Sequence, residues 1–174
     1  MGIQIGGTPD SGFDDPIGML KDCHRRIEHF LGILCVVAER AQGRTLTQEE
    51  MRALDAANDY FRSGGQRHTA DEEESLFPRL AAAGGFDELD RLEDDHVETG
   101  QLHAEVEALY QSSMANGSLG EVETGRLLRS TTRLRELYEA HIAIEDNRVF
   151  PKAAQMLDKG AIETIGREFR ARRQ

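Results

Sequence analysis

Four stretches of the chain carry apolar and seam positions spaced alternately three and four residues apart. In the first, Ile17, Leu20, His24, Ile27, Leu31, Leu34 and Ala38 share one face. In the second the series is Met51, Leu54, Asn58, Phe61, Gly65, His68 and Glu72. The third runs Leu89, Leu92, His96, Thr99, His103, Val106 and Tyr110, and the fourth Leu127, Thr131, Leu134, Tyr138, His141 and Glu145. This alternation is the signature of helices that meet along a seam. Breaks at Gln42-Gly43-Arg44, Gly84-Gly85 and Asn116-Gly117-Ser118 separate the four, and connections this short make neighbours antiparallel. Thr47 and Glu50 have the spacing of a capping box, and Ser63-Gly64-Gly65 predicts a kink before His68. The pattern therefore predicts an all-α fold, an up-down-up-down four-helix bundle over residues 14–157. A flexible tail is expected over 1–13, and a short fifth helix and tail over 158–174.

Two motifs recur at nearly one offset. Leu20-Lys-Asp-Cys-His24 matches Leu92-Glu-Asp-Asp-His96 at 72 residues. His68-Thr-Ala-Asp-Glu72, ending in Leu76-Phe77-Pro78, matches His141-Ile-Ala-Ile-Glu145, ending in Val149-Phe150-Pro151, at 73. Two helical hairpins related by an approximate internal two-fold account for both.

The seam positions that break the apolar rule are His24, His68, Glu72, His96, His141 and Glu145. Burying unpaired ions costs several kcal/mol each, so these groups must satisfy one another or hold metal. A lone histidine on an apolar face is ordinarily a hydrogen-bonded core residue, and one His/Glu pair a turn apart is a weak local contact. Four histidines and two glutamates at matching places in four helices suit two metal ions, with both carboxylates free to bridge. Imidazole with carboxylate fits Fe, Zn, Cu or Mn, and no thiolate joins the set. Ferritin-like di-iron bundles use Glu-x-x-His. Here the order is reversed with four-residue spacing, and the lone Glu93-to-His96 match has no second copy.

Composition narrows the partners. The 174 residues hold 21 Lys+Arg against 32 Asp+Glu, a net charge of −11, which repels nucleic-acid backbones and anionic lipid. The longest apolar run, Ile33 to Ala38, is far short of the ~20 residues that cross a bilayer. Met1 to Pro9 lacks the basic and apolar parts of a signal peptide. Cys23 and Cys35 stand twelve apart on one predicted helix, roughly 18 Å along its axis, too far to bridge. A cytoplasmic protein with free thiols is expected.

The order His, His-x-x-x-Glu, His, His-x-x-x-Glu, with Phe-Pro after each pair, resembles the hemerythrin-like (HHE cation-binding) family over roughly residues 14–157. The resemblance implies a non-haem di-iron centre with an oxo or hydroxo group between the ions. Carried over, His24 and His68 would hold one iron and His96 and His141 the other, with Glu72 and Glu145 bridging. Oxygen-carrying members have a third His four residues after the helix-three His, where this chain has Gly100. They also have Asp five residues after the last His, where Glu145 stands at four and Asp146 at five. Fewer imidazoles leave more open positions for oxygen, peroxide or nitric oxide. The expected function is sensing, storage or scavenging of such a ligand. A di-iron enzyme that decomposes peroxide or reduces nitric oxide is the alternative, and a metal-free helical interaction module ranks last.

Other polar residues near the seam stay open at this stage. Glu28, one turn after His24, is either an extra ligand or a supporting or solvated acid. His103, seven residues after His96, sits roughly 10 Å along the axis, so it reads as a core or channel histidine. His29 points elsewhere. Tyr138 either donates toward a metal position or fills the core. Asp22, Glu73, Glu74, Asp95 and Asp146 are candidates to orient ligating imidazoles.

Overall fold

The computed structural model describes residues 10–41, 44–84 and 87–174. Residues 1–9 of the expected tail over 1–13 and the break residues Gln42, Gly43 and Gly85 lie outside the described residues. All regular structure among the described residues is helical: α1 (Pro16–Arg40), α2 (48–82), α3 (Leu89–Asn116), α4 (121–156) and α5 (Lys159–Ala171). Local chemistry sets the starts. Asp15 accepts from the Gly18 amide ahead of Pro16, whose fixed φ suits a first turn. Thr47 and Glu50 form the expected reciprocal box, with 3.2 Å and 2.9 Å bonds. Asp158 caps α5 through the Ala161 amide.

α1 packs on α2 and α4, and α3 on α2 and α4. The buried side chains form two hydrophobic clusters. One gathers Ile27, Leu31, Leu34, Leu54, Phe61, Val106, Leu127 and Leu134. The other gathers Leu20, Leu76, Phe77, Leu80, Leu92, Val149, Phe150 and Phe169. Along α1 and α3 the chain passes from the second cluster to the first, and along α2 and α4 it returns. Each crossing carries its imidazole between the two clusters.

Helices α2 and α4 are not regular. The expected kink at Ser63-Gly64-Gly65 is a π turn over Phe61–Gly65. A Cβ at Gly64 would lie 2.7 Å from the Tyr60 ring, so glycine lets that ring lie against the backbone. Two more π turns, Glu72–Leu76 and Glu145–Val149, begin at the paired glutamates. In them the Phe77 amide reaches back five residues to the Glu72 carbonyl, and Phe150 to Glu145. Pro78 and Pro151 explain the widening. A proline has no N–H for the carbonyl four residues back, and its ring crowds that carbonyl. The turn before it opens by one residue, a departure often found at functional sites.

The fifth helix holds the site's outer wall. Asp71, between His68 and Glu72, is fully buried. It receives Arg172 at 2.8 Å and Arg173 at 2.6 Å from the end of α5. Arg172 also donates to Ser75 Oγ at 2.7 Å and Glu74 at 3.0 Å. Midway along α5, a Cβ at Gly166 would fall 1.9 Å from the Phe13 carbonyl oxygen, so the segment before α1 seats directly on this helix. No described helix is long and apolar enough to cross a membrane.

The Asp71 clamp gives the first prediction. Asp71→Ala leaves two guanidinium groups without their buried acceptor and is expected to cost about 3 kcal/mol. Urea unfolding checks it: the midpoint should fall with the slope unchanged.

Candidate metal centre

All six seam residues meet at one level. His24, His68, Glu72 and Glu145 offer ligand atoms within 4.8 Å of one another, and so do Glu72, His96, His141 and Glu145. Both glutamates are fully buried and belong to both groups. Glu72 Oε1 lies 3.4 Å from His68 Nε2, and its Oε2 lies 3.3 Å from His96 Nε2. Glu145 Oε2 lies 3.0 Å from His24 Nε2 and 3.3 Å from His141 Nε2. Each carboxylate thus spans the two groups.

The outer nitrogens are held by acids. His24 Nδ1 meets Asp146 at 3.1 Å, His96 Nδ1 meets Glu73 at 2.8 Å, and His141 Nδ1 meets Asp95 at 3.4 Å. These contacts keep the Nδ1 proton outward and turn Nε2 inward. The first two follow the internal repeat, since Glu73 and Asp146 each come directly after a paired glutamate. The Phe-Pro phenylalanines obey it too: Phe150 stacks on His24 at 5.3 Å and Phe77 on His96 at 6.1 Å. His68 breaks the rule. Its Nδ1 is buried with no hydrogen-bond partner among the described residues. The repeat puts Cys23 where Asp95 serves His141, and the Cys23 thiol instead faces Arg26 at 3.3 Å.

The remaining candidates sort cleanly. Asp22 pairs with Arg25 and takes the Ser11 amide, and Glu74 pairs with Arg172. Glu28 and His29 are exposed. His103 Nε2 and the Tyr138 hydroxyl lie 3.0 Å apart, with His103 stacked on Phe61 at 4.0 Å. Asp71 with its two arginines and the π turns at the glutamates were not expected.

A chain that matches a family model for the hemerythrin HHE cation-binding domain over residues 15–153 has its lineage decided. This protein belongs to that family. As a hemerythrin-family chain it is also similar to a protein of Haemophilus influenzae described as uncharacterized. The two are 26% identical over 164 residues, spanning 93% of this chain and 92% of the relative.

The donor set of this hemerythrin domain fits a cation. Inner Nε2 of His24, His96 and His141, and all four oxygens of Glu72 and Glu145, are buried without a hydrogen-bond partner among the described residues. They approach to 3.0–3.4 Å without hydrogen-bond alignment. Donors at about 2.1 Å from one ion and at right angles to each other lie about 3.0 Å apart.

Without a cation, protons do the compensating. Burial pushes His24 down, but Asp146, Glu145 and Glu72 outweigh it and hold the ring up to about 10. Burial also opposes the charge on His141, yet Glu145 raises it. Glu145 resists its own burial and is held well below the carboxylate range by His141 and His24. Glu72 goes well above that range, through burial and the neighbouring Glu145 charge. His68 is pushed well below the usual imidazole value by burial and by His24. Two carboxylates this close do not both ionise unaided.

A second prediction concerns His103, which burial lowers to about 4. A group depressed in this way binds its proton more weakly folded than unfolded. Its neutral form therefore contributes stability fully above pH 6.5, and the contribution is lost as pH falls from there toward about 4. NMR titration of the His103 ring should show it still neutral at about pH 5.

Proposed function

We propose that this hemerythrin-family protein holds two iron ions between α1–α4 and uses them to bind dioxygen or a related small ligand, peroxide or nitric oxide, for sensing, storage or scavenging. His24 and His68 would hold one ion, His96 and His141 the other, and Glu72 and Glu145 both. The observation that carries the reading is the set of buried, unpartnered nitrogen and oxygen atoms shared between two overlapping groups. Iron bound there would supply redox activity and open coordination positions. The reading takes α1–α4 as an up-down-up-down bundle of two pseudo-equivalent hairpins. The alternating passage between the two hydrophobic clusters supports that arrangement. The acidic charge and the free thiols Cys23 and Cys35 favour a cytoplasmic setting without nucleic-acid or membrane partners.

A second reading, an enzyme that decomposes peroxide or reduces nitric oxide, is favoured by one feature. A cavity of about 470 Å³ has His96 in its wall, giving a substrate room beside the centre.

Metal analysis of protein made in iron-replete cells tests the first reading. About two irons per chain are expected, with near-ultraviolet charge-transfer absorption. Glu72→Ala and Glu145→Ala should each lose both ions, because each carboxylate belongs to both groups. His68→Ala should weaken one. Chelation should lower the melting temperature, since bound metal contributes its binding free energy to the fold. A metal-free protein with an unchanged melting temperature removes the reading. Oxygen release from peroxide, measured against His68→Ala, separates enzyme from binder: equal rates count against catalysis.

A further inference from the structure

The 470 Å³ cavity between α2 and α3 is far larger than a diatomic ligand needs. One water takes roughly 30 Å³ of liquid, so two oxygen atoms need a small fraction of this space. The volume lies within the ~300–1,000 Å³ typical of sites for organic molecules. Its wall is also built for one. Phe61 and His103 stack at 4.0 Å, and Tyr138 closes that side through its 3.0 Å contact with His103. Thr69 and Thr99 add methyl and hydroxyl groups.

Asn58 supplies the specific handle. It lines the cavity, is 4% exposed, and its Nδ2 has no hydrogen-bond partner among the described residues. A buried amide donor left unpaired costs about 1–3 kcal/mol, which a ligand acceptor would recover. Charge sets the ligand class further. Three carboxylates, Glu73, Glu74 and Glu107, share the lining with one guanidinium, Arg62, which is itself paired to Glu107 at 3.2 Å. Such a wall repels an anion.

The opening comes from the backbone. The π turn at Phe61–Gly65 lies on one side and Gly100 on the other. Gly100 lines the cavity at an exposed position, and a Cβ there would meet nothing within 4 Å, so the position has room for a side chain.

We infer that this cavity is a binding site for an organic molecule without negative charge, aromatic or comparably flat, that presents a carbonyl or hydroxyl oxygen to Asn58 Nδ2. Seated there, the molecule lies against His96 and occupies the way to that half of the centre. Apart from His96, the site stands on residues other than the six at the centre, so it goes beyond the iron reading and does not require it.

Benzamide is the probe: a flat ring with one carbonyl acceptor and no charge. Titrated into metal-free protein and followed by NMR, it should perturb the Asn58 side-chain amide and the Thr69 and Thr99 methyls saturably. Asn58→Leu, which keeps the bulk and removes the donor, should weaken binding about three- to tenfold. Gly100→Phe, at a position with room for a side chain, should abolish it while circular dichroism stays unchanged. Benzoate, with the same shape and a negative charge, should bind at least about fivefold more weakly. Absence of saturable benzamide binding to the wild-type protein overturns the proposal. Undiminished binding to Gly100→Phe, or benzoate binding as tightly as benzamide, also overturns it. Metal content measured on the same preparation, before stripping, reports separately on the iron reading.

Discussion

Seven buried nitrogen and oxygen atoms, from three histidines and two glutamates, face one another without hydrogen-bond alignment. That mutual exposure is the constraint around which the rest of the structure is arranged. These atoms are buried, and no hydrogen bond among the described residues satisfies them. Cations can, and failing that, protons held by His24 and His141 against Glu145. Such a set is unfavourable to assemble, so the fold must hold it from outside. Asp146, Glu73 and Asp95 fix three of the rings, Phe150 and Phe77 lie flat on two of them, and hydrophobic clusters close both ends.

The six central residues were readable from the sequence because the internal repeat marks them twice. A polar residue on an apolar seam is ambiguous alone, but the same exception at an offset of 72 or 73 residues is not. Glu73, Asp95 and Asp146 were within reach of that reasoning as acids beside ligating positions, yet the same criterion also picked Asp22 and Glu74, which pair with arginines. The π turns escaped it. A three-four alternation counts up to Glu72 and Glu145 and stops there, and Phe-Pro after each reads as a helix modifier. The extra residue per turn arises from the proline's missing N–H, a backbone effect that leaves no trace in the polar pattern. The grip of Arg172 and Arg173 on Asp71 escaped it for another reason. It joins residues about a hundred positions apart, and surface-type charges at a chain end carry no record of their partners.

The sequence repeat is matched by the contacts at the centre and broken around it. His141 has Asp95 behind it, whereas its counterpart His68 has Cys23 at the equivalent place and no acid among the described residues. A thiol is a weak acceptor, and this one faces Arg26. The His68 imidazole is held well below the usual imidazole value, by burial and by the His24 charge. The same departure from symmetry appears in the backbone. The Phe61–Gly65 π turn precedes His68, while the corresponding stretch before His141 stays α-helical.

These asymmetries divide the two halves by access. On the His68 side, α5 lays two arginines over the buried Asp71, so the turn from His68 to Glu72 is locked between the core and the fifth helix. On the His96 side, Gly100 and the widened turn of α2 line a cavity whose wall includes His96 itself. Neither His24 nor His68 lines it. The carboxylates shared between the halves are fully buried. One sequence repeat thereby carries a cavity beside His96 on one side and the grip of two arginines on Asp71 on the other.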